Sequence, residues 1–235
     1  FEKLAMLIET NTGGRVVVSG DRGTGKSHLM RQFMHNCRHP ESGIILVGVD
    51  VSAYERGNVY AVWIRIIEIL VAKVMNEKIE IVAQRLLEVE VKFRDKLHCL
   101  NGIGFKSHFP KQSRKDGDSE TTKLEKQTLV FDMLLCLVQK LILSANKLDH
   151  KPTVICIDNA HYMHERSWCT LYNATVRRLP CLFVVSVETM AKSRDRLLQE
   201  YIPRVYTEYL RLPNVRVSKM GALRPFQLAE IMKPL

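Results

Sequence analysis

The chain has 235 residues and a formal net charge of +10, with 46% hydrophobic and 26% charged residues. This composition is typical of an ordinary globular protein that buries a sizeable core. The six cysteines show no C-x-x-C pair and no zinc-like spacing to histidine, which excludes the common zinc motifs and predicts reduced thiols in a cytoplasmic protein. The apolar segment at residues 64–74 is broken by charged side chains, so we predict no membrane span.

Strand and helix patterns alternate along the chain. Alternation of this kind predicts an α/β fold with a parallel sheet, helices on both faces and right-handed crossovers. The predicted strands are 15–19, 44–49, 153–158, 181–186 and 215–220. The predicted helices are 1–9, 26–37, 58–76, about 78–100, 127–146 and 166–178.

The predicted domain organisation is one α/β domain over residues 1–224, followed at 225–235 by the start of a helical region. Residues 101–126 are polar and rich in Gly, Ser, Lys and Asp, which predicts a flexible insertion within this domain. The chain begins without Met and stops in a helical pattern, so we expect it to be a piece of a longer protein.

The most informative motif is the segment Gly20–Ser27, which fits G-x-x-x-x-G-K-[ST] without a mismatch. A β-branched strand precedes it and a helical pattern follows it, as a phosphate-binding loop requires. Gly20, Gly23 and Gly25 allow positive φ angles and close approach to an anion, so that backbone N–H groups and the helix N-terminus can face phosphate oxygens.

Each remaining position of the loop has an expected role in binding ATP. Lys26 supplies a cation for the β and γ phosphates, and the hydroxyl of Ser27 is the expected Mg²⁺ ligand. Thr24 and His28 complete the predicted nucleotide-binding set. We therefore expect ATP and Mg²⁺ as cofactors.

A second acidic motif follows the strand at 153–158, which ends in Asp158. A buried parallel strand delivers such a carboxylate to the edge of the sheet where α/β proteins bind ligands. Asp158 is therefore the expected second protein group at the Mg²⁺ site, beside Ser27.

The segment Ile155–Met163 resembles the Walker B region of STAND-type AAA ATPases, and Ser167-Trp168 and residues 59–63 are also similar to that group. Within it, the chain most resembles the ATPase module of the soluble adenylate cyclases. This resemblance covers most of the chain and implies a P-loop NTPase nucleotide-binding domain of the AAA/STAND type that serves as a regulatory module in cAMP signalling. Cyclase chemistry would then belong to domains outside this chain, and neighbouring domains of the same protein would be its partners.

Two positions depart from the pattern of that family. Asn159 stands where a second acid usually activates the attacking water, and an amide cannot take a proton from water. We therefore assign no catalytic residue and expect weak or no hydrolysis. Thr189 could serve as the γ-phosphate sensor, whereas Glu188 would repel a phosphate unless it is paired.

Other residues offer weaker signals. His161 and His164 lack a third ligand at metal-binding spacing, so hydrogen-bonding roles are favoured. Trp63 and Trp168 are expected in the core. Candidate arginine fingers, which the sequence does not distinguish from solvated side chains, are Arg177, Arg178, Arg194 and Arg196.

The function we favour is a Mg²⁺- and ATP-binding switch that sets the arrangement of neighbouring domains. One alternative is an AAA-type ATPase acting on nucleic acid, for which the +10 charge is the only support. The ten basic against four acidic residues between 177 and 224 are more readily explained as a solvated face or a surface that meets an acidic part of the longer protein, because no aromatic residues interleave with them. The other is a nonhydrolysing interaction module.

Overall fold

A computed structural model describes residues 14–38, 43–105, 109, 123–149, 152–188, 204–212 and 215–220. The helix predicted at 1–9 and the helical region predicted at 225–235 lie outside these residues. The remaining predicted elements fall within them, so the core can be compared with the sequence prediction element by element.

Five strands form one parallel sheet in the order β2-β3-β4-β1-β5. β3 and β4 are mostly apolar, with Thr153 and Ser186 as buried polar exceptions, and are buried on both faces, as expected of central strands in a parallel sheet. The α/β fold with a parallel sheet is therefore confirmed. The strands are β1 (Gly14–Gly20), β2 (Ile45–Asp50), β3 (Thr153–Asp158), β4 (Cys181–Glu188) and β5 (Val215–Met220).

Helices cover both faces of this sheet. Successive strand residues point to opposite faces, so Val17 and Ile155 enter a large core with most of the helices, whereas Val18 and Val154 enter a smaller core beneath the first helix. The α-helices are α1 (Lys26–Cys37), α2 (Ala61–Val74), α3 (Ile79–Glu88), α4 (Lys123–Asp149), α5 (Glu165–Val176) and α6 (Arg204–Arg211). Short 3₁₀ helices occupy Ala53–Gly57, Arg94–Leu100 and Ala160–Tyr162.

The parallel register brings the carboxyl ends of the strands to one edge. Gly20 at the end of β1 lies opposite Glu188 of β4 and Met220 of β5. Asp50 at the end of β2 lies opposite Asp158 of β3. The loops that leave these strands therefore meet at a single edge, which is where ligands bind in open α/β sheets.

The helix predicted over about 78–100 is interrupted. α3 ends at Glu88, and a helical segment resumes only at Arg94 as a 3₁₀ helix. Val89 and Val91 in the interruption are 69% and 82% exposed. Their β-branched side chains favour helix weakly and find no apolar surface there to compensate, which explains why the helix stops.

The predicted insertion at 101–126 contains ordered positions at both ends. Asn101 binds the backbone of Phe109 twice, donating to its carbonyl oxygen at 2.9 Å and accepting from its N–H at 2.8 Å. Phe105 and Phe109 are buried, and α4 already begins at Lys123. The prediction underestimated these ends because isolated aromatic residues in a polar segment give no periodic signal. Residues 106–108 and 110–122 lie outside the described part.

Of the described helices, α4 rather than the shorter segment at 64–74 combines the length and the apolar character that a membrane span needs. Its stretch Leu124–Ala145 is long and apolar enough to cross a membrane, judged by length and composition alone. About 56% of the most apolar window is buried inside the molecule, and Leu134, Leu137 and Leu141 are fully enclosed. A central core helix satisfies the same criteria, so α4 is weak evidence for a membrane span.

A buried arginine joins the amino end of β1 to the end of α5. Arg15 is only 2% exposed, and its guanidinium lies 4.6 Å from the ring centre of Phe183. Its nitrogens donate to the Thr175 hydroxyl at 2.9 Å and to the carbonyl oxygens of Gly14 at 2.6 Å and Cys181 at 2.7 Å. Longer bonds reach two further carbonyls near the end of α5. A buried cation is thus held by neutral acceptors and an aromatic face.

Candidate nucleotide-binding site

The predicted phosphate-binding loop connects β1 to α1 and contains two left-handed glycines. Gly23 has φ of +81° and Gly25, the N-cap of α1, has φ of +86°. Gly20 is required for a different reason, since a Cβ there would lie 2.7 Å from the backbone oxygen of Met220. The glycines that define the motif therefore meet conformational or packing demands that other residues would meet only with strain.

The loop is held by its own side chains and carbonyls. The ammonium group of Lys26 donates to the backbone oxygens of Gly20 at 2.8 Å and Asp21 at 2.7 Å. The hydroxyl of Thr24 donates to the Asp21 oxygen at 2.8 Å. Thr24 is therefore a residue that shapes the loop, in addition to its predicted place in the binding set.

Lys26 is the buried cation of this edge. Burial lowers its pKa below the ordinary 10.5, and the nearby charges of Glu188, Asp158 and Asp21 oppose that shift. A phosphate group would add negative charge at the same point and favour the ammonium form. Lys26 is thus placed where binding an anion stabilises its charge.

Two adjoining cavities open at this edge of the sheet. The first, which we call the loop-side cavity, has a volume of about 420 Å³, and its lining includes Gly25, Lys26, Ser27, His28 and Glu188. The second, the strand-end cavity, has a volume of about 510 Å³, and its lining includes Ser27, Asp50, Asp158 and Asn159. Ser27, Arg31 and Asn159 line both. The structure therefore brings the two sequence motifs together around one opening.

Asp158 is fixed at the end of β3 by two donors. The Ser186 hydroxyl on β4 donates a short hydrogen bond to the Asp158 carboxylate, and the Asn159 backbone N–H donates to the same carboxylate oxygen at 3.0 Å. The Asn159 N–H also lies 3.0 Å from the Ser186 oxygen. Asp158 is only 9% exposed and shares the strand-end cavity with the Ser27 hydroxyl. These are hard oxygen ligands, so the residues fit a Mg²⁺ ion held mainly by water and phosphate.

Asn159 adopts a left-handed conformation with φ of +56° and ψ of +35°. Asparagine tolerates this region better than most residues. Its side-chain amide donates to Oδ1 of Asp50 at 2.9 Å. Asp50 was missed in the sequence analysis because it follows an ordinary buried strand. Asp50 could have been selected as a carboxylate at the end of β2, had it been known that β2 pairs with β3.

Glu188, which the sequence placed unfavourably close to phosphate, is paired with His161. The Glu188 backbone N–H donates to Nδ1 of His161 at 3.3 Å, and the carboxylate lies 3.6 Å from Nε2 of the same ring. His161 is buried, at 6% exposure. The ring therefore orients the end of β4. His164 instead caps α5, where its Nδ1 accepts from the backbone N–H of Arg166 at 3.2 Å.

Of the predicted arginine fingers, the two that lie within the described residues do not reach this edge. Arg177 and Arg178 precede β4 and lie at the opposite end of the strands, where Arg177 is 3.4 Å from an oxygen of Asp132. Arg194, Arg196 and the predicted sensor Thr189 lie outside the described residues. The arginines that line the loop-side cavity are Arg22 and Arg31, which the sequence analysis did not select.

Both tryptophans lie in the core as predicted. Trp63 and Trp168 are 0% and 1% exposed. The indole N–H of Trp63 donates to the backbone oxygen of Ser167 at 3.3 Å, which ties α2 to the start of α5. They therefore support the site indirectly through the helices that pack beneath it.

A parallel sheet that presents a glycine-rich loop at the end of β1 and a carboxylate at the end of β3 defines a P-loop NTPase fold. The sequence matches the AAA ATPase domain family over residues 1–184. The chain therefore belongs to this family, and membership implies nucleotide binding, usually with Mg²⁺.

The chain is also similar to a solved structure, Cdc6p from Pyrobaculum aerophilum, with 14% sequence identity and a TM-score of 0.44. The similarity covers 98% of this chain but only 46% of that protein, so the chain spans about half of its length. No curated protein matches the chain.

Proposed function

We propose that this chain is a Mg²⁺- and ATP-binding module that acts as a regulatory switch within a larger signalling protein and hydrolyses ATP weakly. The observation that carries the proposal is the joint position of Lys26, Ser27 and Asp158 around one opening. A cation for phosphate and two oxygen ligands for magnesium are the minimum that a triphosphate with Mg²⁺ requires.

The chemistry of the edge supports discrimination between ATP and ADP. Lys26 is buried and lies close enough to Glu188 and Asp158 for their charges to affect its pKa. A γ-phosphate would add charge among these groups, and its Mg²⁺ would face Asp158. The arrangement of loop and strand ends would then differ in energy with and without the γ-phosphate, which is what a nucleotide switch needs.

The wider role rests on the sequence resemblance to the ATPase module of soluble adenylate cyclase (adenylate cyclase type 10). On this proposal the chain is the regulatory part, and the cyclising reaction belongs to other domains of the longer protein. The neighbouring domains would be its partners, and the cytoplasm its location. ATP would bias their arrangement by binding one arrangement more tightly than another.

Titration of the chain with ATP and with ADP, each with Mg²⁺, tests the proposal together with a turnover assay on the same sample. Lys26→Ala should weaken ATP binding by about 10²-fold, since one or two charge-assisted bonds of roughly 1.5–3 kcal/mol are lost. Lys73→Ala, on the exposed side of α2, is the matched control and should leave affinity unchanged. Equal ATP affinity in folded Lys26→Ala and in the unmodified chain would contradict the proposal.

The net charge of +10 supports one alternative function, an AAA-type ATPase that acts on nucleic acid. Duplex DNA or single-stranded RNA should then bind the chain with an affinity that falls steeply with salt. Tight, salt-sensitive binding that changes between ATP and ADP would favour this alternative over the signalling role.

A further inference from the structure

We propose that Asp50 is the catalytic base of the ATP hydrolysis that this module performs, and that Asn159 positions it. The inference rests on the proposed function, since it names the group that takes the proton from the attacking water. This inference replaces the expectation, from the sequence, that no side chain of this chain takes a proton from the attacking water.

The position of Asp50 follows from the sheet. β2 and β3 are parallel neighbours in a register that sets Asp50 opposite Asp158, and the Val51 N–H continues the pairing by donating to the Asp158 carbonyl at 3.0 Å. Asp50 thus ends beside the predicted magnesium ligand. It also lines the strand-end cavity together with Ser27. A carboxylate at this place faces the same opening as the group expected to bind Mg²⁺.

Asn159 is held firmly enough to orient Asp50. Its backbone N–H contacts both the Asp158 carboxylate and the Ser186 hydroxyl, each at 3.0 Å. The side-chain amide then donates to Oδ1 of Asp50 at 2.9 Å. The Asn159 amide is not basic enough to take a proton from water, so its contribution is to fix the carboxylate next to it. The base and its positioning group are thus divided between two strands.

The proposed step is an in-line displacement. A water oxygen forms a bond to the γ-phosphorus, and the bond from that phosphorus to the β–γ bridging oxygen breaks, with its electron pair leaving on ADP. The proton released by the water passes to the carboxylate of Asp50. Lys26 would offset part of the negative charge on the phosphates, together with a Mg²⁺ ion that Ser27 and Asp158 would hold, and no other reactant is required.

Glu188 is the competing carboxylate at this edge. It lines the loop-side cavity, its charge acts on Lys26, and its backbone and carboxylate are both oriented by His161. These contacts favour a role in balancing the charge of Lys26. Asp50 instead lies 2.9 Å from the side chain of the residue that follows the predicted magnesium ligand. The experiment therefore includes both carboxylates.

The test uses the 235-residue chain and measures single-turnover phosphate release and ATP affinity with Mg²⁺. Asp50→Asn keeps the shape of an exposed side chain and removes the base. It should slow phosphate release by ~10²-fold or more, the usual contribution of a general base, with ATP affinity within twofold. Glu68→Gln, an exposed acid on α2, is the control and should release phosphate at the unmodified rate.

Asn159→Ala distinguishes positioning from a merely structural effect. It should slow phosphate release without weakening ATP binding, and the double variant with Asp50→Asn should be no slower than Asp50→Asn alone, because both changes act on one group. An additive loss in the double variant would overturn the positioning role. Loss of phosphate release in Glu188→Gln with an unchanged rate in Asp50→Asn would assign the base to Glu188 and overturn the inference.

The remaining outcomes separate this inference from the proposed function. If the unmodified chain binds ATP but releases no phosphate, or if Asp50→Asn releases it at the unmodified rate, the inference fails and the binding switch stands. If Asp50→Asn needs more Mg²⁺ for ATP binding, Asp50 is a metal ligand and the inference also fails. If the unmodified chain does not bind ATP, the proposed function fails and the inference fails with it.

Discussion

Replacing Arg15 by Met should destabilise the fold strongly although Arg15 is far from the predicted phosphate-binding loop. Met keeps an apolar stem that can pack against Phe183 but removes every hydrogen bond that the guanidinium makes. Those bonds connect β1 to the Thr175 hydroxyl and to backbone carbonyls around the end of α5 and the start of β4, and one ends on the Gly14 carbonyl within β1 itself. The buried acceptors would lose a charged donor that no neighbouring water can readily replace.

The expected loss follows from the three shortest bonds, which are 2.6, 2.7 and 2.9 Å long. Hydrogen bonds to charged groups contribute roughly 1.5–3 kcal/mol each, so three at the low end amount to about 4–5 kcal/mol. Met carries no charge, so the variant no longer has the free-energy cost of burying the guanidinium, and this offsets part of the lost hydrogen bonding. We expect a net loss of about 3 kcal/mol in the free energy of unfolding.

Urea unfolding at 25 °C measures this loss. With a denaturant slope of about 3 kcal/mol per molar, the midpoint should fall by roughly 1 M at constant slope. Arg85→Met is the matched control, because Arg85 pairs with Glu77 at 2.9 Å while its side chain is 51% exposed. Exposed pairs contribute at most about 1 kcal/mol. Equal midpoints for the two variants would refute the account of Arg15.

Two further changes probe the phosphate-binding loop itself. Gly20→Ala should lower the free energy of unfolding by about 1–3 kcal/mol, because the new Cβ would lie 2.7 Å from the Met220 carbonyl oxygen. Gly57→Ala is the control, since a Cβ there meets nothing within 4 Å and should change the free energy of unfolding little. Equal urea midpoints for the two variants would contradict this explanation. Since burial lowers the pKa of Lys26, its charge is lost on the alkaline side before pH 10.5, and ATP affinity should fall as pH rises through that lowered value. In Lys26→Arg the charge persists, so any binding should be independent of pH in this range, and a parallel decline in both proteins would point to another group.

The parts of the site that the sequence predicted are those encoded within a few residues. The predicted helix at 26–37 and strands at 153–158 and 215–220 coincide with α1, β3 and β5, because glycine spacing and apolar runs determine them locally. The placement of the loop at one strand end and of Asp158 at another followed from the same local patterns.

The parts that the sequence did not predict depend on distant pairing. Asp50 is a candidate site residue only because β2 lies next to β3 in the sheet. Asp50 and Asp158 are 108 positions apart along the chain, so the sequence spacing does not indicate that they lie side by side. The acceptors of Arg15 are likewise up to 166 residues away. The interruption after Glu88 was missed because the helical periodicity appeared to continue across Val89 and Val91, which the fold leaves exposed.

The unequal division of the core by the sheet has a mechanical consequence. α1 begins at the last residues of the predicted phosphate-binding loop and contacts the smaller core mainly through Met30, Phe33 and Cys37. The opposite face packs against α2, α3, α4, α5 and α6 and includes residues from most of the strands. A rigid-body shift of α1 would disturb few apolar contacts, whereas a similar shift of α4 would open the large core. α1 therefore has a smaller apolar interface to disrupt than α4, and it is directly attached to the loop.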